Sequence, residues 1–332
     1  MDSKTIEETY AMNFTFFMTF VPQLNSEVPI VMGYEKCTPK NVELIKAYKG
    51  LQFIHSGNWW NLDPAKRTVE TVLANQEKFY TAGKTMGFMS LNTPASLTNY
   101  EYWNIPETER RKAIQQCLEN ANWAREHKTA KAPIYCSLEV STIEESKFWF
   151  RKALDEGHEC FCRGVAEFLG NPKLRKKGIQ TIFALTIGAR QVLEDFPLHL
   201  SGLSSLYLLP IIAYLGATSV DGSTPVTSAL GRGTVYTPDG RGWKCGTLQK
   251  WDCVCDFCKD FEGDLVQEFN SNRMARVQHN VAIWQEKVKE INRCKDKREL
   301  KEYIENELAK KASRYFQKLW DQVLKIEEDL QR

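Results

Sequence analysis

Short runs of apolar, β-branched or aromatic residues recur along the chain, and after each comes a longer stretch whose apolar positions return every three or four residues. The runs fall at 14–21, 29–32, 51–55, 85–90, 133–140, 159–164, 197–202 and 217–221. Their length and composition predict strands. The stretches 41–48, 64–80, 106–127, 144–156, 172–194 and 204–215 predict helices, with Pro near starts and Gly or Pro near ends as boundary signals. Strand then helix, repeated, implies a parallel sheet. Eight near-continuous apolar strands favour closure into a (β/α)8 TIM barrel of the α/β class over an open doubly wound sheet. No Gly-x-Gly-x-x-Gly follows the first strand, which weakens a dinucleotide-binding reading.

The strand ends carry the candidate chemistry. The apolar runs stop at His55-Ser56-Gly57-Asn58, Ser90-Leu91-Asn92-Thr93-Pro94, Leu138-Glu139, Arg163-Gly164, Ser201-Gly202 and Asp221-Gly222-Ser223. In a barrel these carboxyl ends share one rim, where active sites are built. Small polar residues also terminate strands for local reasons, and Asp-Gly is a common turn pair. Six such ends on one rim nevertheless make it the candidate site. His55 has an ordinary pKa near neutrality and is a candidate for proton transfer, with a structural role as its alternative.

After Pro225 the pattern changes. Gly231, Gly233, Gly240, Gly242 and Gly246 mark a hairpin-like stretch, then cysteines cluster, then two helical stretches follow. In the last of these Ile304, Leu308, Tyr315, Leu319, Val323, Ile326 and Leu330 repeat at helical spacing. Such a stripe serves core packing or a subunit contact, the latter giving a homodimer. The expected organisation is a barrel over 1–240, a metal-binding subdomain over 241–295 and a C-terminal amphipathic helix over 296–332 packed on the barrel. There is no internal repeat.

Cys253, Cys255 and Cys258 place three thiols within six residues, a spacing suited to a shared metal. His279 is the expected fourth ligand, with Cys245 or Cys294 as alternatives. Three thiolates and one imidazole make a closed tetrahedral shell typical of structural Zn²⁺; an iron–sulfur cluster is a distant second choice. Four protein ligands leave no open position, so the metal is expected to brace the fold. Cys160 and Cys162 are read as packing residues on opposite faces of a strand.

Composition narrows the class further. The 332 residues are 42% hydrophobic and 26% charged, with 19 Gly and 12 Pro, which excludes long disordered or fibrous readings. Lys and Arg total 44 against 42 Asp and Glu, so a polyanion would have to meet a local patch and not a global basic field. Lys173-Leu174-Arg175-Lys176-Lys177 is the densest basic run, and Arg232 and Arg241 lie near the cysteines; Lys176, Arg232 and Arg241 are candidate phosphate contacts. A solvated helix face explains the run equally well. The apolar stretch 12–21 is short and follows acidic residues, unlike a signal peptide, and no run reaches the roughly 20 residues of a bilayer span. The expected setting is cytoplasmic, with no membrane partner, and ten cysteines there read as thiols or metal ligands.

Barrel grammar, a late Cys-x-Cys-x-x-Cys…His group and an Asp shortly before a Pro together resemble the queuine tRNA-ribosyltransferase family of guanine transglycosylases. The similarity runs from about Pro29 onward and is clearest from His199 to Asn280. Leu200-Ser201-Gly202-Leu203-Ser204 resembles the family's Met-Gly-Val-Gly strand end. Gly216 to Pro225 resembles its Gly-Val-Asp-Met-Phe-Asp-Cys-Val-x-Pro segment, which places Asp221 at the family's nucleophile. Gly231-Arg232-Gly233-Thr234-Val235-Tyr236-Thr237 resembles its Arg-Asn-Gly-x-x-Phe-Thr loop, and Cys253, Cys255, Cys258 and His279 match its zinc ligands, with a slightly shorter Cys-to-His interval.

Upstream the motifs depart from the family. His55-Ser56-Gly57-Asn58-Trp59 stands for Asp-Ser-Gly-Gly-Phe, which puts His55 where an acid/base and base-contacting aspartate is expected. Ser90 stands for a guanine-reading aspartate, Glu139 for a glutamine and Arg163-Gly164 for a Gly-Gly pair. The resemblance thus implies a purine pocket formed by Ser56, Gly57, Ser90, Glu139, Arg163, Gly164 and Gly202, altered in character. With these departures the chain looks most like the DNA-modifying branch, which exchanges guanine in DNA for a 7-deazaguanine such as 7-cyano-7-deazaguanine; tRNA is the alternative substrate, and a non-catalytic zinc-braced nucleic-acid-binding subunit the alternative role. The implied partners are nucleic acid and a free 7-deazaguanine base. Asp221 would attack the sugar and be displaced by the incoming base, as in retaining glycosidases. Glu139 would accept from a purine N–H, and Trp59 or Trp60 could stack on a flipped base.

Overall fold

A computed structural model describes residues 13–23, 27–57, 67–93, 102–309 and 314–331. Eight strands are hydrogen-bonded in chain order and close into a barrel: β1 (Thr15–Thr19), β2 (Ile30–Gly33), β3 (Gln52–His55), β4 (Thr85–Met89), β5 (Ile134–Ser137), β6 (Phe161–Gly164), β7 (Leu198–Ser201) and β8 (Ser219–Gly222). Pairing is parallel between successive strands. Each strand lies inside or beside the run that predicted it. Prolines mark several entrances: the carbonyls of Pro29, Pro133 and Pro197 accept from Met18, Phe88 and Phe161. Having no N–H to donate, they suit the first rung of a ladder.

The connecting helices are α1 (Pro39–Ala47), α2 (Val69–Lys78), α3 (Glu107–His127), α4 (Ile143–Asp155), a short α5 (Ala166–Leu169), α6 (Arg175–Leu193), α7 (Leu208–Tyr214) and α8 (Thr224–Arg232). Thr38, Thr68 and Thr142 cap α1, α2 and α4 by accepting from the N–H of Asn41, Thr71 and Glu145, each such cap contributing about 1 kcal/mol. Alternation along the strands splits the core in two. Phe17, Phe53, Met89, Tyr135 and Cys162 fill the barrel interior. Ile30, Met32, Ile54, Phe88 and Ile134 face outward and pack with Ile45, Leu73, Phe79 and Ala124 of the helical layer. Cys160 and Cys162 do not face opposite ways as expected: both pack against the interior cluster, because residues two apart on a strand share a face.

Beyond the barrel come a hairpin of β9 (Thr234–Tyr236) and β10 (Gly242–Lys244), then α9 (Asp256–Lys259), α10 (Leu265–Ser271), α11 (Arg273–Arg293), α12 (Lys297–Ala309) and α13 (Arg314–Gln331). The C-terminal segment, expected as one amphipathic helix, thus forms two. Of the stripe, Ile304, Leu319 and Val323 are buried, as are Leu300 and Trp320 beside it, so these residues serve packing.

The chain divides into two compact units, one of residues 17–203 with 219–222, the other of 1–16, 204–218 and 223–332. This differs from the expected boundaries near 240 and 295. The reason is that α7 and α8 pack on α11, and α7 also on α12, so these two barrel-connecting helices share the apolar core of the C-terminal helices. Along α11, Arg276 donates to the Ala229 carbonyl, Asn280 bonds Pro225, Thr234 and Tyr236, and Trp284 donates to Ser204. No helix among the described residues is long and apolar enough to cross a membrane.

Candidate functional site

In the unit of residues 17–203 and 219–222, three strands each send two side chains, two residues apart, into the barrel: Phe53 and His55 from β3, His199 and Ser201 from β7, Ser219 and Asp221 from β8. The lower tier is aromatic. The His199 ring lies 4.2 Å from that of Phe53, with Phe17 and Tyr135 at 6.0 and 6.3 Å. The upper tier, at the carboxyl ends of the strands, is polar and holds Asp221.

Asp221 is held at both oxygens. Oδ2 meets His199 Nε2 at 2.9 Å, and Oδ1 accepts the Gly202 N–H at 2.9 Å. A carboxylate only accepts, so Nε2 carries the proton, and His199 Nδ1 faces the Ser219 hydroxyl at 2.9 Å. Burial alone would raise the Asp221 pKa. The hydrogen bond from His199, the fields of the His199 and His55 rings and the Gly202 N–H outweigh it and hold the carboxyl below its usual value. A carboxylate offers about four lone-pair positions, so two remain for an electrophile. Gly202 has φ +87°, and a Cβ there would stand 2.7 Å from Ala166 Cβ. Only glycine presents this N–H to Asp221 without strain.

His55 Nδ1 accepts from the Gly57 N–H at 2.8 Å, which leaves Nε2–H to donate to Ser201 Oγ at 2.8 Å. Burial pulls its pKa down to about 4, with Asp221 opposing and His199 and Arg67 reinforcing. The near-neutral pKa expected from the sequence is therefore not what the fold produces: His55 is a neutral, tautomer-fixed ring at pH 7. His158, bonded through Nε2 to Asn122 Oδ1, is likewise lowered by burial to about 4. An unfolded chain, with histidines near 6.5, binds more protons than the folded one between these values. Stability is thus expected to be level above about pH 6.5 and to fall toward pH 4, by at most about 1.4 kcal/mol per pH unit for each histidine. Thermal melts across this range on the parent and a His158→Gln chain test this; an unaltered slope in the variant would count against it.

A second polar group occupies the ends of β3 to β6. Asn92 Nδ2 donates to Glu139 Oε1 at 2.9 Å, while Asn92 Oδ1 accepts from Ser56 at 3.2 Å and Arg67 Nη2 at 2.8 Å. Arg163 is fully buried and pairs with Glu139 at 2.5 Å and Glu167 at 2.6 Å, and also donates to the carbonyls of Val140 and Gly164. Burial pushes Glu167 up to about 7, against the pull of Arg163 and with the help of Glu139. Arg163 therefore braces Glu139 from below. Gly164 leaves space: a Cβ there would meet only Glu139 Oε1 at 3.8 Å and Asn92 Nδ2 at 3.9 Å. Ser90 is buried, its Oγ accepting the Ser137 N–H at 2.9 Å.

The structure thus brings Asp221, His55 and Gly202 together, and separately Ser56, Glu139, Arg163 and Gly164. Gly57, with φ +86°, donates its N–H to His55. Trp59 and Trp60 lie outside the described residues. His199, Asn92 and Arg67 were not singled out from the sequence. For His199 a signal existed: it is a polar residue in an apolar run, two before Ser201 and so on the same face. Lys176 is exposed in the first turn of α6; Arg232, at the end of α8, is exposed, as is Arg241, which pairs with Asp239 at 3.1 Å.

The other unit contains a candidate metal centre. The Sγ atoms of Cys253, Cys255 and Cys258 and a ring nitrogen of His279 all lie within 4.8 Å of one another. His279 Nδ1 is 3.4 Å from Cys255 Sγ and 3.3 Å from Cys258 Sγ, and its Nε2 donates to the Tyr236 carbonyl at 2.7 Å. That bond leaves Nδ1 as the lone-pair donor facing the sulfurs. Ligands about 2.0–2.3 Å from one centre at tetrahedral angles stand about 3.6–3.8 Å apart, close to this spacing. Trp251, Phe257 and Phe269 shield the imidazole. Cys245 and Cys294 are not in the group, so His279 is the fourth member. These residues could hold a metal ion with no position left open.

Compared with protein-family models and with curated proteins, the chain matches none of them.

Proposed function

We propose that the chain is a nucleic-acid guanine transglycosylase that exchanges guanine in DNA for a 7-deazaguanine base. The observation that carries this reading is the placement of Asp221: an inward-facing carboxylate on the last barrel strand, ionised and oriented by His199 and Gly202, beside a polar cradle of Ser56, Asn92, Glu139 and Gly164. An Asp221 oxygen, through a lone pair that neither His199 nor Gly202 uses, forms a bond to C1′ as the C1′–N9 bond breaks, and that electron pair leaves with guanine, which takes up a proton. The incoming 7-deazaguanine gives up its N9 proton, its nitrogen attacks C1′ from the opened face, and the C1′–oxygen bond returns its electrons to Asp221. Two inversions retain configuration, and protons balance over the cycle. His55 orients Ser201 at the edge of this centre and, being neutral, contributes a hydrogen-bonding ring.

Zn²⁺ fits the Cys253, Cys255, Cys258 and His279 donor set and would act as a structural brace. The cations in the first turn of α6 oppose its helix dipole, and phosphate contact is a use for the exposed Lys176 in one unit, as it is for Arg232 and Arg241 in the other. The test is incubation of the full chain with isotope-labelled 7-cyano-7-deazaguanine and either DNA or tRNA, followed by mass spectrometry of the nucleosides. Label in deoxynucleosides is expected. Label in tRNA alone would move the substrate, and label in neither would overturn the reading.

A further inference from the structure

The carboxylates that the rim offers for reading a base are already engaged: Glu139 by Asn92 and Arg163, Glu167 by Arg163, and Asp221 by His199 and Gly202. Three other polar atoms at the same rim are buried and have no hydrogen-bond partner: Glu35 Oε2, Arg67 Nε and the Ser137 hydroxyl at the end of β5. Buried polar groups in folded proteins are nearly always satisfied, so an exception signals a missing partner. Of these, the two on charged side chains are of opposite sense, Glu35 an acceptor and Arg67 a donor.

Both lie in the connections that follow neighbouring strands. Glu35 lies in the short 3-10 turn Tyr34–Lys36 directly after β2, and Arg67 lies between β3 and α2, two residues before α2 begins. The backbone is bare where Glu35 sits. Its carboxylate occupies the space a Cβ on Gly33 would need, and a Cβ on Gly57 would stand 2.8 Å from Oε2 and 2.6 Å from the Tyr34 ring. Arg67 is anchored by Nη2 on Asn92 Oδ1 at 2.8 Å, which leaves Nε for another acceptor. The Arg67 charge is felt at His55 and Tyr34, and that of Glu35 at Arg67. Glu35 abuts Gly57, whose N–H serves His55, and Arg67 is held on Asn92, which also bonds Ser56 and Glu139.

We propose that Glu35 and Arg67 are specificity residues that read the amide edge of the base, Glu35 Oε2 accepting from its ring N–H and Arg67 Nε–H donating to the adjacent carbonyl oxygen. This rests on the reading of the barrel mouth as a base-exchange site and names residues that the sequence motifs did not assign. A 6-oxopurine or its 7-deaza analogue carries N1–H beside O6 and fits both atoms. A 6-aminopurine carries an acceptor beside a donor, the reverse order, and would leave both orphans opposed by a like group.

The experiment is calorimetric titration of the full chain with guanine, hypoxanthine and adenine, for the parent, Glu35→Gln and Arg67→Gln. The parent is expected to bind guanine and hypoxanthine alike and adenine roughly 100-fold more weakly. Each variant should lose about 10- to 100-fold in guanine affinity, and Glu35→Gln, whose amide can donate, should narrow the gap between guanine and adenine. Melting temperatures identify any variant that fails to fold, in which case Glu35→Asp, which keeps the charge but shortens the reach, replaces it and should also weaken guanine. Variants that bind guanine as the parent does, or an equal loss of guanine and adenine, would overturn the assignment, as would a parent that does not discriminate. Covalent trapping of guanine-containing DNA by the parent is scored separately: trapping with failed titrations removes only the roles of Glu35 and Arg67, whereas no trapping removes the exchange reading.

Discussion

An Asp221→Asn chain is expected to form no covalent complex with guanine-containing DNA on a denaturing gel and to exchange base at least about 10⁴-fold more slowly than the parent, the scale of loss when a nucleophile is removed. Asparagine is the informative choice because the site can accept its shape. Its Oδ1 still takes the Gly202 N–H, and its amide can donate to His199 once that ring shifts its proton to Nδ1, with the Ser219 hydroxyl as the new acceptor. The fold and the metal content should therefore persist. A variant that retains turnover or still traps DNA would dismiss Asp221 as the nucleophile.

The second large effect is expected at the other unit. The purified chain should carry one zinc per molecule by elemental analysis, and Cys255→Ser or exhaustive chelation should remove it with cooperative loss of the structure around β9, β10 and α11. Binding free energies of about 10–16 kcal/mol at neutral pH are typical of structural zinc in small domains and appear directly as folding free energy. Trp251, 5.2 Å from the His279 ring, offers a fluorescence reporter. Cys245→Ser and Cys294→Ser should leave the metal in place, since neither sulfur lies in the group. Retention of metal by Cys255→Ser, with no drop in melting temperature, would discard the site.

The barrel was legible because most of its strands are buried along their length and so read as short apolar runs, spaced by longer stretches of helical period. The metal group was legible for a different reason: three of its four ligands are local in sequence, and their crowding leaves few alternatives. His199 was hidden because an imidazole inside an apolar run reads as packing until a carboxylate is known to stand above it. Glu35 and Arg67 were hidden more deeply. They are ordinary charged residues in connections, and only the loss of solvent around one atom of each distinguishes them. The pKa of His55 was misjudged for a related reason, since burial is a property of the closed rim and cannot be seen in the strand that ends there.

The division of the chain carries a consequence for engineering. Its path passes from one unit to the other four times, at 16/17, 203/204, 218/219 and 222/223, and the last two passes bracket only the strand that bears Asp221. Neither half can be excised as a contiguous fragment, and a truncation after residue 222 would strand α7 without the helices it packs on. Transplanting the cysteine-rich portion onto another barrel would therefore require a graft that begins inside the sheet, and a library of fusions cut at the hairpin should yield insoluble products.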